Sequence, residues 1–140
     1  MKGLILVLGV CLAAAVALAA DRTAAPAGAE VYFIAPQDGA KLHNPVSVRF
    51  GLKGMGIAPA GIKFDNTGHH HLLVDMDISE VNLDAPMPAT DKILHFGKGQ
   101  TETSLTLAPG KHTLQLVFAD YLHQSFDPPL LSKKITIMVK

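Results

Sequence analysis

The sequence predicts an all-β fold, an immunoglobulin-like antiparallel β-sandwich of about seven strands, and three observations carry that prediction. Short apolar runs alternate with polar residues at the two-residue period of half-buried strands. Clusters of Gly, Pro, Asn and Asp separate these runs, and no mature segment keeps a helical period over three turns. A closed barrel is the alternative architecture.

Residues 1–20 read as a cleavable signal peptide: Lys2 supplies the positive charge, Gly3 to Leu18 is apolar, and Ala17-Leu18-Ala19 fits a small-x-small cleavage site. The run dissolves into small residues before Asp21 without a basic stop, so no retained membrane span is expected. The only cysteine, Cys11, lies in this segment behind Val10, which does not suit lipidation. The mature chain of about 120 residues therefore has no disulfide, thiolate nucleophile or thiolate ligand. That length suits one domain, which buries about two thirds of its unfolded surface.

Residues 21–30 are alanine-rich and aperiodic and read as a flexible lead-in, so the sandwich domain should span 31–140. Strand A (31–34) is β-branched and aromatic and ends at Pro36 before the turn residues Asp38-Gly39. Strand B (45–52) places Val46, Val48, Phe50 and Leu52 on one face. A long loop with five glycines between 51 and 68 leads to strand C (69–76), apolar on both faces as a central strand is. An irregular crossing rich in acidic residues and prolines precedes strand D (92–96). Strands E (101–107) and F (112–119) alternate cleanly, residues 120–131 with Pro128-Pro129 read as a second long loop, and strand G (132–139) closes the chain.

Twelve basic and twelve acidic residues cancel without a basic patch, so no nucleic-acid partner is expected. The seven histidines are the anomaly. In a sandwich the BC, DE and FG loops share one end, which gathers His69, His70, His71, His95 and His123 there. Strand alternation puts His69 and His71 on one face and turns His70 to the other. The candidate metal ligands are therefore His69, His71, His95 and His123, suited to copper or zinc. His70 and Met55, a thioether that would favour Cu(I), are lesser candidates. Asp65, Asp75, Asp120 and Asp127 offer a different fate for these rings, a loop hydrogen-bond network, and a pocket for a small polar ligand is a third. His112, at the EF corner, reads as a structural residue bonding back to the backbone.

Several stretches also resemble a family. They are Val31-Tyr32-Phe33-Ile34 with Pro36 and Asp38-Gly39, Gly51-Leu52-Lys53-Gly54-Met55-Gly56 with Ala58-Pro59-Ala60-Gly61, and Asn66-Thr67-Gly68-His69-His70-His71-Leu72-Leu73. His95-Phe96-Gly97-Lys98-Gly99-Gln100-Thr101-Glu102 and Pro109-Gly110-Lys111-His112-Thr113-Leu114-Gln115-Leu116 complete the set. Together they look like the signature of the domain of unknown function 4399 family. The resemblance implies a small exported bacterial protein. In that family's pattern a second histidine often precedes Asp-Pro-Pro, where this chain has Phe126 before Asp127-Pro128-Pro129.

There is no GxSxG elbow, no HExxH and no mature cysteine, so the expectation is a non-enzyme, with a metal-dependent hydrolase as the alternative. The functional expectation is an exported, periplasmic or secreted binding module presenting a histidine-lined loop end to a divalent metal such as copper or zinc or to a small ligand. The alternative is a structural or protein-interaction domain, with an envelope protein as its partner.

Overall fold

The computed structural model describes residues 21–140, so the signal peptide expected over 1–20 lies outside the described residues. In chain order the strands are β1 (Glu30–Ala35), β2 (Lys41–Leu42), β3 (Val46–Lys53), β4 (Gly56–Ile57) and β5 (Thr67–Val74). After a 3-10 turn (Ile78–Glu80) come β6 (Ile93–His95), β7 (Glu102–Leu105), β8 (Gly110–Ala119), β9 (Ser125–Leu131) and β10 (Ile135–Val139). One sheet has the order β1-β3-β7; the other runs β2-β10-β8-β5-β4, with β6 also on β5 and β9 also on β8. Among the described residues no helix is long and apolar enough to cross a membrane.

Alternation builds the core between the two sheets. Val46, Val48 and Phe50 from β3 meet Leu72 and Val74 from β5, Leu114, Leu116 and Phe118 from β8, and Ile135, Ile137 and Val139 from β10. The opposite face of β5 and β8 is covered as well. Leu73, Val117, Ala119 and Ile93 pack there under Met87, with Met76, Ile78 and Val81 of the crossing beside them. This second, smaller core explains why β5 is apolar on both faces.

Three elements differ from the sequence reading. Whereas strand D of an immunoglobulin sandwich lies beside E, the stretch lettered D, β6, joins the larger sheet by pairing with β5, through Leu72↔Leu94 and Leu73↔Ile93. Its hairpin-like return is closed by Val74 N–H donating to the Lys92 carbonyl at 2.9 Å. Residues 120–131 are a tight turn followed by β9, not a long loop. Here Ser125 pairs with Ala119 and Leu130 with Phe118, so the prolines fall in the bulged excursion where no ladder donor is required.

The third difference is the lead-in, which is docked. Ala25 N–H donates to the Asp127 carbonyl and Asp127 N–H to the Thr23 carbonyl, both at 2.8 Å. Asp127 thus gives its outward backbone groups to the N-terminal segment, and Arg22 Nη2 reaches its carboxylate at 2.9 Å.

Candidate metal centre

The three histidines of β5 divide as alternation requires. His70 points into the main core, its ring 5.0 Å from those of Phe50 and Phe118. Met55 packs against the same core cluster. His69 and His71 point the other way, onto the face that carries Leu73, Val117 and Ala119. There the cross-strand register sets His95 opposite His71, on the same face.

His123 arrives from the turn between β8 and β9, and that turn is built to deliver it. Asp120 N–H donates to the Gln124 carbonyl at 2.9 Å and His123 N–H to the Asp120 carbonyl at 3.0 Å. The Asp120 carboxylate accepts from Leu122 N–H at 2.9 Å and Gln124 N–H at 3.1 Å. His123 itself is left-handed, φ 66°, a conformation that histidine tolerates better than most side chains. Met87 N–H donates to the His123 carbonyl at 2.9 Å, which ties the turn to the crossing.

The four rings form one cluster. His69 lies 4.9 Å from His71, 5.0 Å from His95 and 5.0 Å from His123, centre to centre. His95 lies 5.1 Å from His71 and 4.7 Å from His123, and the remaining pair, His71 and His123, is 6.1 Å apart. A square with sides near 4.9 Å would have two diagonals near 7 Å, so six distances this even describe a distorted tetrahedron. Imidazole nitrogens about 2.0–2.1 Å from a tetrahedral ion put their ring centres about 5 Å apart. The tightest subset is His69, His95 and His123, whose ligand nitrogens all lie within 4.8 Å of one another.

Burial sharpens the chemistry. His69, His70 and His71 are each 0 % exposed. Both ring nitrogens of all three, and Nε2 of His95, have no hydrogen-bond partner among the described residues. Natural interiors seldom leave such atoms unmatched. Burial, and then the like charges of His123 and His95, push His69 down to about 4. Burial, then His69, His95 and His123, push His71 down to about 2. His95 is lowered too, by burial and then by His123. These rings are held neutral, the form in which imidazole binds a metal.

The hydrogen-bond network weighed for these rings therefore does not form at His69, His70 or His71. His112 does behave as the corner residue expected: Nδ1 sits 2.7 Å from Asp75 Oδ2 and Nε2 2.8 Å from the Ala108 carbonyl. Two further residues shape the cluster. A Cβ on Gly97 would lie 2.2 Å from Cε1 and 2.4 Å from Nε2 of His95, so only glycine lets that ring take its place. Asp120, one of four aspartates considered as a histidine partner, instead braces the turn that carries His123. The sequence held no signal for Gly97 beyond its place in a turn.

A family model described as a domain of unknown function (DUF4399) matches residues 48–140, a span that contains all four clustered histidines. No curated protein and no solved structure matches the chain.

Proposed function

The chain belongs to the domain of unknown function (DUF4399) family, and we propose that it is an exported binding module that holds a copper or zinc ion. His69, His95 and His123 are the core ligands, with His71 as the fourth. The observation that carries the reading is the convergence of the rings of His69, His71, His95 and His123 from three separate segments, with the ligand nitrogens of His69, His95 and His123 within 4.8 Å of one another and buried nitrogens that no group among the described residues satisfies. Export rests on the charged, then apolar, then small-residue pattern of residues 1–20. Binding is favoured over hydrolysis because the neighbouring carboxylate, Asp120, has both oxygens engaged by donors, leaving no ready general base.

Calorimetry and native mass spectrometry of the metal-free mature protein with Zn²⁺ and copper test this reading. One ion per chain is expected, with Tm raised by metal and returned by chelator. At a hundredfold excess over Kd the stabilisation is about 2.7 kcal/mol. His123→Gly is the informative variant, because its left-handed backbone suits glycine: the fold should survive while metal affinity falls at least tenfold. Affinity no greater than that of a histidine-containing peptide, or unchanged in this variant, sinks the proposal.

A further inference from the structure

Resting on the metal reading above, we infer that the loop 58–61 is a strap that assembles the centre before any ion arrives, with Ala60 and Gly61 as positioning residues for His95 and His123.

The ligands need such a device unequally. His69 and His71 lie on β5, which β8 pairs along its length, so the ladder itself fixes them. His95 is the last residue of the short strand β6, and His123 sits in the turn between β8 and β9. Both stand where regular pairing ends.

Three backbone bonds from this one short loop reach the segments that carry the ligands. Ala58 N–H donates to the Gly68 carbonyl at 2.9 Å, Ala60 N–H to the Gly97 carbonyl at 2.8 Å, and Gly61 N–H to the Tyr121 carbonyl at 2.9 Å. Gly68 directly precedes His69, Gly97 follows His95 after Phe96, and Tyr121 precedes His123 before Leu122. The bond at Ala58 extends the β4–β5 pairing, whereas those at Ala60 and Gly61 join two separate segments.

Gly97 carries its bond to the ring itself. A Cβ there would lie 2.2 Å from Cε1 of His95 and 3.2 Å from the Ala60 Cβ, so His95, Gly97 and Ala60 meet at one point. Because Ala60 and Gly61 are consecutive, their bonds tether the Gly97 and Tyr121 carbonyls to adjacent N–H groups. The rings so joined, His95 and His123, are the closest pair of the four-ring cluster at 4.7 Å.

The local sequence sets the strap's shape. Gly61 is left-handed, φ 82°, and Ile62 N–H donates to the Pro59 carbonyl at 3.2 Å, which makes residues 59–62 a type II turn with glycine where positive φ is required. Without these bonds, the ends that carry His95 and His123 would gain freedom in the metal-free chain, and the ion would have to remove it at a cost in affinity. A strap closed at folding takes that cost out of binding.

The test is Ala60→Pro. Proline is favoured at the second position of a type II turn, so the substitution keeps the turn and deletes one donor, the N–H that holds Gly97. Affinity is measured on the metal-free mature protein by chelator competition, with Zn²⁺ and, anaerobically, with Cu(I), and stability is measured in urea with and without metal. Affinity should fall about fivefold or more. The variant should also lose more stability loaded than metal-free, because only the metal-free state regains freedom; a merely structural bond costs the same in both. Ile62→Ser, which leaves all three donors in place, should bind as the wild type does. Amide hydrogen exchange on the wild-type protein decides even where Ala60→Pro fails to fold: the Ala60 and Gly61 amides should be protected without metal. Amides that exchange freely until metal is added overturn the strap and leave the binding-module reading standing. A folded Ala60→Pro variant with wild-type affinity does the same, and wild-type protein that binds neither zinc nor copper overturns both.

Discussion

At the scale of single residues, the two faces of β5 ask opposite things of histidine. His70 lies among phenylalanines with neither nitrogen bonded to any described residue, and burial drives it down to about 4. An unsatisfied buried polar group costs about 1–3 kcal/mol, so His70→Leu should leave stability in urea equal or raise it by about 1 kcal/mol, with metal affinity unchanged. A loss of more than about 1 kcal/mol would mean that the ring is bonded after all. Gly97 sits on the functional face. Gly97→Ala places a methyl group into the His95 ring, so metal affinity should fall at least tenfold. The ring resonances of His95 should also shift in metal-free protein by NMR. Unmoved resonances would show that the ring has room to spare.

At the scale of elements, the segment 22–25 and β9 form a unit that the sequence concealed. Thr23 joins it to Asp120 through a 2.7 Å hydrogen bond across 97 residues of chain. Thr23→Val keeps the shape and removes the donor, and should cost about 1–2 kcal/mol in chemical denaturation. A cost near zero would mean that the segment detaches readily. Why this unit was hidden is plain from its residues. Alanines at 24, 25, 27 and 29 carry no alternation, and the prolines at 128 and 129 read as loop, because the donors they lack are not required in a bulged excursion. By contrast β3, β5, β8 and β10 were legible, since each buries one whole face against the main core. The grouping of His69, His71, His95 and His123 was legible too, because alternation and loop end are fixed once strand order is fixed. What could not be read was depth: the crossing packs Met87, Ile78 and Val81 onto the outer face, and His69 and His71 on that face are fully buried while His95 and His123 are only partly so.

At the scale of the whole molecule, the buried rings make the metal-free fold sensitive to acid. His69 and His70 are held near 4 and His71 near 2, chiefly by burial, against an ordinary value of 6.5 in the unfolded chain. Between pH 6.5 and about 4 the unfolded chain therefore binds protons that the native state refuses, so stability falls as pH falls. Each such ring contributes about 1.4 kcal/mol per pH unit through that window. Three together amount to several kcal/mol across two units, comparable with the roughly 5–15 kcal/mol stability of a whole domain. His112 works in the opposite sense, because its bonds to Asp75 and Ala108 raise it. Its contribution is complete below 6.5 and is lost as pH rises through its raised value. The metal-free protein should thus be most stable near neutrality and unfold in mild acid, with the urea midpoint dropping steeply between pH 6.5 and 4.5. His70→Leu should flatten that slope by one proton. Metal should protect the fold only until protons displace it from the rings, so the protection itself should vanish as pH falls. A urea midpoint that stays level from pH 6.5 to 4.5 in chelated protein would show that these rings find a bonding partner or admit water, and would remove the physical basis for their neutrality.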